Sequence, residues 1–249
     1  MSTVNEHYDR LLAKHYTWMF AASFEERVDQ EKSLLSQALE ALKSKPERAL
    51  AVDLGSGPGF QTVALARLGF SPVIAIDSSA ELLDELRSHI DGFTVQIEKA
   101  DLRDLPTVVA AGHASVIVCM GDTLTHLASK ADVSALFQDV FDTLHRGGMF
   151  VITYRDLTKE LEGLDRFIPV QSDENTIMTC FLQYESAESV VVHDLVYTRD
   201  GAAWSLSKSS YRKLRLGADW LVRELNAVGF VVVSEGVAGR LVQVVAAKP

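Results

Sequence analysis

Ala49-Leu50-Ala51-Val52-Asp53-Leu54-Gly55-Ser56-Gly57-Pro58-Gly59 reads as a short buried strand that runs into a glycine turn. Phe60 to Leu68 then open a helix with apolar residues at Val63, Leu65, Ala66 and Leu68. Closely set glycines let the backbone turn sharply and leave no Cβ between the main chain and a ligand lying across the strand end. A dinucleotide-binding turn has the spacing Gly-x-Gly-x-x-Gly. Here the third glycine comes one residue early, and Phe60 stands where that pattern has its last glycine. Asp53, two residues before the first glycine, puts a carboxylate near the turn, which repels phosphates and suits an amino group or a sulfonium. A pyrophosphate is therefore the weaker reading of the ligand.

The chain around this turn is long enough for one large domain, or one with an insertion: 249 residues, 47% of them hydrophobic. A net charge of −10 works against a nucleic-acid partner, because such binders need basic surface to displace counterions. Cys119 and Cys180 have no spacing suited to zinc, so no metal is expected and both thiols are expected to be reduced and packed. The amino terminus has neither a charged n-region nor an apolar h-region, and no run of 18 apolar residues occurs, so the expectation is a cytoplasmic protein without a membrane partner.

Upstream, Tyr8, Tyr16, Trp18 and Phe20 crowd one short segment that either docks on the core or closes over a ligand. Ser23-Phe24-Glu25-Glu26 is a capping box, and Val28, Leu35, Leu39 and Leu42 continue at near-helical spacing until Pro46. Downstream, Val73 to Asp77 forms the second strand. An acid at that strand end, about 20 residues past the glycines, can accept both hydroxyls of a ribose. Ser78-Ser79-Ala80-Glu81 reads as the next capping box, Leu82, Leu83, Leu86 and Ile90 make its helix amphipathic, and Phe93 to Ile97 alternates as a third strand. Ser115 to Met120 is a continuous apolar run, the signature of a central parallel strand, and its carboxyl end, Gly121 to His126, faces the ligand side of such a sheet. Asp132 to Leu144 forms the fourth helix with Gly147-Gly148 as its stop, and Met149 to Thr153 the fifth strand.

After this strand the character changes. Thr176 to Glu185, Ser189 to Arg199 and Ala203 to Leu214 read as three β-rich runs, the last two joined by an Asp200-Gly201 hairpin signal. Alternation puts His193, Leu195 and Tyr197 on one strand face, as a lid or a homodimer surface. Lys208, Arg212, Lys213 and Arg215 read as a solvated strand edge guarded by charge. Ala218 to Val228 returns to helix before two final strands from Val231 and Leu241.

Asp53, Gly55, Gly57 and Gly59 match Asp-x-Gly-x-Gly-x-Gly at all four positions, and from about Ala49 to Pro249 the chain resembles the class I S-adenosylmethionine-dependent methyltransferases of small-molecule type. The resemblance implies an α/β, Rossmann-like fold: a mostly parallel seven-stranded sheet with helices on both faces and an antiparallel β insertion after the fifth strand. On this reading residues 1–48 form a helical cap, 49–169 the cofactor-binding core, 170–215 the insertion and 216–249 the helix and strand pair that complete the sheet. It implies S-adenosylmethionine as cofactor and S-adenosylhomocysteine as product, held by Asp53, Gly55, Ser56, Gly57, Gly59, Asp77, Ser78, Asp101, Leu102, Met120, Gly121 and Asp122. Asp101 falls where the family holds an acid on the adenine amino group.

Gly121-Asp122-Thr123-Leu124-Thr125-His126-Leu127 is similar to the Gly-Asn-Ser-Phe-x-His-Leu of glycine and sarcosine N-methyltransferases, and Thr153-Tyr154-Arg155 lies where they carry His-Arg. This makes His126, Tyr154 and Arg155 the catalytic candidates, with Arg155 on a substrate carboxylate and Tyr8, Tyr16, Trp18 and Tyr197 as substrate or lid residues. Asp122 and Leu124 replace the asparagine and the phenylalanine. An extra carboxylate there favours a cationic amine, or a hydroxyl awaiting deprotonation, over glycine. The expected activity is methyl transfer to N or O of a small molecule. A non-catalytic S-adenosylmethionine-binding regulator and an NAD(P)-dependent oxidoreductase stay open as alternatives.

Overall fold

A computed structural model describes residues 3–42 and 48–249; Pro46, the expected helix stop, lies outside the described residues. The amino-terminal segment winds from α1 (Val4–His7) through a π turn (Tyr8–Leu12) and two 3-10 turns (Ala13–His15, Trp18–Phe20) into α2 (Phe24–Glu40). The core follows as β1 (Ala51–Leu54), α3 (Phe60–Arg67), β2 (Val73–Asp77), α4 (Ala80–Arg87), β3 (Val95–Lys99), α5 (Leu105–Val108), β4 (Ala114–Cys119), α6 (Lys130–Thr143) and β5 (Leu144–Tyr154). Then come β6 (Phe167–Ser172), β7 (Thr176–Tyr184), β8 (Ser189–Asp200) and β9 (Ala203–Leu214), and α7 (Ala218–Val228), β10 (Val231–Ala238) and β11 (Leu241–Ala247) close the chain.

Seven strands form one sheet in the order β10-β11-β5-β4-β1-β2-β3, with β11 antiparallel to both neighbours and β1 to β5 mutually parallel. Strand order reverses between β1 and β4, so the connections that leave their carboxyl ends go to opposite faces of the sheet and open a crevice there. Alternation along the strands sorts the core into two layers. Val52, Leu54, Ile117 and Ile152 pack under α6 and α7, while Ala51, Val116, Val118 and Val151 pack under α2 and α3. Each large aliphatic side chain taken fully out of water contributes about 1.5–3 kcal/mol, which is why both layers are filled by branched residues.

Several expected boundaries shift for local reasons. The α2 capping box is present, with Glu26 N donating to Ser23 Oγ and Ser23 N to Glu26 Oε2. For α4 the cap is Ser79 rather than Ser78: Ser79 Oγ accepts from Leu82 N, while Ser78 Oγ bonds Asn5 Oδ1 at 2.9 Å. The third strand lies two residues later than expected, at Val95–Lys99. Gly147-Gly148 does not stop α6. The helix ends at Thr143 and the chain passes directly into β5, where Gly147, at φ +80°, donates its N–H to Lys248 O.

The insertion is a separate antiparallel sheet of four strands, β6-β7-β8-β9, rather than three. The missed strand, β6, begins at Phe167, ahead of the expected boundary at 170, and carries Pro169 and a register break between Pro169 and Gln171. Proline in a sheet is confined to such an edge. One face of this sheet, Met178 and Val196, packs on Leu11 and Leu12, so the amino-terminal segment docks mainly on the insertion. Only half of the basic run is a solvated edge: Lys208 and Arg212 are exposed on β9. Lys213 and Arg215 are buried, and Arg215 donates to the carbonyls of Leu157, Thr158 and Ser186. Among the described residues no helix is long and apolar enough to cross a membrane, and no cluster of three ligating side chains could hold a metal ion.

Candidate cofactor and acceptor site

The three glycines of the turn all have positive φ (+73°, +52° and +101°), which fits glycine and strains other residues. Their surroundings differ. A Cβ on Gly55 would meet Thr123 Cγ2 at 2.3 Å, and one on Gly59 would meet Leu86 Cδ1 at 2.1 Å. A Cβ on Gly57 would find only Tyr16 and Leu82, at 3.7 and 3.9 Å. Gly55 and Gly59 are therefore set by protein packing, whereas a Cβ on Gly57 would make only ordinary contacts. Gly57 N donates to Asp77 Oδ2 at 2.8 Å, and Asp77 Oδ1 accepts from Ser79 N at 2.8 Å. A carboxylate has about four lone-pair positions, so the two backbone donors fix its plane and leave acceptor capacity towards the cavity. Burial raises the Asp77 carboxyl above its ordinary value.

This cradle forms one wall of a cavity of about 620 Å³. Gly55, Gly57, Asp77, Ser78, Asp101 and Leu102 line it from the core. Thr3, Asn5, Tyr8 and Tyr16 line it from the amino-terminal segment, Thr123 and His126 from the turn after β4, and Arg212 from β9. The volume lies within the range of about 300–1,000 Å³ that bound small molecules occupy. The Ser56 hydroxyl is buried beside the turn without a hydrogen-bond partner among the described residues. A carboxylate at the end of β2, a strand end without a Cβ and an unpartnered hydroxyl together fit an adenosine-linked amino acid.

Other expected site residues lie elsewhere. Asp53 faces the α3 layer, where its carboxylate accepts from Thr62 Oγ1 at 2.6 Å and burial raises its pKa to about 7. Asp101 sits at the cavity rim, but both of its oxygens are taken by Arg103, through Nε at 2.9 Å and Nη2 at 2.8 Å, and the Arg103 contacts hold its carboxyl below the ordinary value. Met120 is packed in the α2–α3 layer, and a Cβ on Gly121 would lie 3.9 Å from the Tyr16 hydroxyl. Tyr154 is fully buried in the layer under α6 and α7, away from the cavity lining. Alternation along β5 puts it on that face.

Arg155 does not line the cavity; its Nε lies 3.9 Å from Asp122 Oδ2. Trp18 donates Nε1 to Asp173 Oδ2 at 2.6 Å, and Tyr197 stands half-exposed on the outer face of the insertion sheet. Neither lines the cavity.

Asp122 is not the free carboxylate that the sequence implied. It is buried at φ +80°, ion-paired through Oδ2 to the buried Lys213, while Oδ1 accepts from Arg155 N at 2.9 Å and Thr125 Oγ1 at 3.0 Å. Burial pushes its carboxyl up, but Lys213 and the hydrogen bonds outweigh that and hold it below the ordinary value. His126 follows on the same turn, its ring 5.8 Å from that of Tyr8 and 5.5 Å from that of Tyr211, with Nε2 buried and unpartnered among the described residues. Burial first and the Lys213 charge second lower its pKa to about 3, so the imidazole is neutral at physiological pH.

Sequence reading missed Thr123, Asn5 and Arg212 as cavity residues, and it missed the pairing of His7, a lid candidate that is fully buried with Nε2 2.9 Å from Asp194 Oδ2. A long-range pair of this kind leaves no local signal.

Comparisons with known proteins agree with the fold. Residues 51–148 match the model of a methyltransferase domain family. A glycine/sarcosine N-methyltransferase of Halorhodospira halochloris is 27% identical over 156 residues, 57% of this chain and 55% of that protein. The chain spans between about a quarter and just over half of the length of the curated relatives it matches. The structure of the CcbJ methyltransferase from Streptomyces caelestis superposes with a TM-score of 0.78 at 19% identity, over 100% of this chain and 99% of that one. CalS10, an amino pentose methyltransferase from Micromonospora echinaspora solved with S-adenosylmethionine bound, gives 0.73 at 14% identity over 95% and 96%. With the glycine turn, the Asp77 cradle and the 3-2-1-4-5 parallel core followed by an antiparallel pair, the chain has the Rossmann-like fold of the class I S-adenosylmethionine-dependent methyltransferases, and its residues 51–148 match a methyltransferase domain.

Proposed function

We propose that this protein transfers a methyl group from S-adenosylmethionine to a small-molecule acceptor, and that the acceptor atom is an amine nitrogen presented in its uncharged form. The observation that carries the reading is the Gly57–Asp77 cradle opening into a cavity whose other walls are Tyr8, Tyr16 and His126. When bound, S-adenosylmethionine supplies an electrophilic methyl on a sulfonium. Asp77 holds the ribose hydroxyls, Gly57 lets the main chain approach, and the two tyrosines exclude water from the reacting centre. Most of the rate then comes from orientation.

The choice of nitrogen rests on what the cavity lacks. A hydroxyl acceptor needs a base, and the candidate bases around this cavity are committed: Asp101 to Arg103, Asp122 to Lys213, and His126 held neutral with a pKa of about 3. A neutral amine brings its own lone pair and needs none. The cationic amine favoured by the bare sequence loses its support, because Asp122 already has a cation. An acceptor carboxylate is met by Arg212 on the cavity wall rather than by Arg155, through the guanidinium Nη groups, since Nε already donates to Glu185 Oε2 at 2.8 Å. The outer face of the insertion sheet, with Ile177, Tyr197, Trp204 and Leu206 partly exposed, docks a second copy of this chain; sedimentation as a monomer at micromolar concentration would exclude that.

Calorimetry with S-adenosylhomocysteine tests the cofactor assignment. Asp77→Ala is expected to weaken binding by about 1.5–3 kcal/mol, and unchanged affinity refutes it. On an active amine the kcat/KM–pH profile should rise through the pKa of the acceptor itself. A plateau set by an enzyme group near neutrality would restore a general base. Tight binding of both cofactor forms with no turnover on an acceptor panel would favour the regulator instead.

A further inference from the structure

We propose that Lys213, on β9 of the insertion, is a positioning residue for the transfer site: through Asp122 it holds the turn after β4 so that the His126 imidazole faces the cavity. The proposal rests on the methyltransferase reading for its meaning, though not for its test.

The turn needs an external hold. Asp122 is a non-glycine residue at φ +80°, a conformation that costs about 1–2 kcal/mol for an L residue. Its carboxylate is satisfied from three directions, by Lys213 Nζ, by the Arg155 N–H of the core and by the Thr125 hydroxyl of its own turn. Only the first comes from outside the parallel core. β9 grips the turn twice on one face, because Tyr211, two residues before Lys213, sets its ring edge-on to His126 at 5.5 Å and 89°. The Lys213 ammonium also lies 5.7 Å from the Tyr211 ring. The insertion therefore reaches past its own fold into the chemical site.

The same contact fixes charge. The groups facing His126 are Asp122 on its own turn, Lys213 and Tyr211 on β9, and His7 and Tyr8 of the amino-terminal segment. With Asp122 neutralised by Lys213, no uncompensated anion favours an imidazolium. Without Lys213, the Asp122 carboxylate would face His126 with only Arg155 Nε at 3.9 Å to balance it.

The test uses the full chain with labelled histidine, bound to S-adenosylhomocysteine, and assigns His126 among the seven histidines by His126→Gln. In the unsubstituted protein the His126 ring should stay neutral throughout pH 5–8. In Lys213→Met its protonation midpoint should move up by about one to three units, as for a base gaining a close opposite charge. Lys213→Arg should restore the neutral ring. Lys213→Met with Asp122→Asn should be neutral again but lose the His126–Tyr211 ring contact. If the single variant does not fold, the double variant, which leaves no charge unpaired, decides. Loss of that contact supports the proposal, whereas an intact contact overturns it. An unmoved His126 midpoint in a folded Lys213→Met also overturns it. Calorimetry with S-adenosylhomocysteine reports separately on the methyltransferase reading.

Discussion

The two halves of the cavity are held together in opposite ways. On the core side a backbone N–H and a strand-end carboxylate 20 residues apart, Gly57 and Asp77, make the cradle, and no ion pair is needed. On the insertion side the walls hang on buried pairs that join remote segments, Asp122 with Lys213 across 91 residues and His7 with Asp194 across 187. A backbone cradle changes little from one side chain to the next, whereas a paired charge can be retuned by a single substitution. On the proposed assignment, changes that reshape the acceptor half would leave the cofactor half intact.

Breaking one half should leave the other recognisable. The largest effect is expected from Lys213→Ala, which leaves the buried Asp122 carboxylate with only Arg155 Nε at 3.9 Å, at a cost of about 3–5 kcal/mol, read by denaturant unfolding. A loss below 1 kcal/mol would mean that the turn is held from the core alone. On the core side Asp53→Asn is expected to stabilise the protein at neutral pH. The folded pKa of Asp53, about 7, lies above its ordinary 3.8, so its contribution is complete at acid pH and lost as pH rises towards 7. Relative to Asp53→Asn, the unsubstituted protein should lose up to about 4 kcal/mol over that window. A pH-independent difference would place the ionised carboxylate outside the core.

The smallest stability change should come from Gly57→Ala, about 1–2 kcal/mol of φ strain with no clash. It should nevertheless reduce S-adenosylhomocysteine affinity at least about tenfold, the equivalent of 1.4 kcal/mol in binding. Gly59→Ala, which meets Leu86, should reverse that ranking: more stability lost and binding altered only through the fold. Equal effects at the two glycines would remove the distinction between packing glycine and ligand glycine.

Local signals were legible where the determining contacts lie within a few residues. β1, the glycine turn and α3, the Ser23–Glu26 cap and the Asp200-Gly201 hairpin all follow from short-range geometry, and each was readable. β6 escaped because Pro169 suppresses a strand signal that an edge position tolerates. Gly147 was misread as a helix stop because the same φ freedom also serves a strand entry. Lys213 and Arg215 read as surface because lone cations usually are; their burial depends on partners tens of residues away.

By itself, then, the amino-acid sequence determined the strand-turn-helix that walls the cavity, the parallel core and the acid at the end of its second strand, since periodicity and backbone freedom act over a few residues. Only the tertiary structure decided that Asp122 is neutralised, that Tyr154 points into the core, that Arg212 rather than Arg155 lines the cavity, and that His7 and Lys213 tie three segments into one site. The physical reason is that the state of a buried charge is set by whichever side chain lies within a few ångströms, and chain distance carries no record of that.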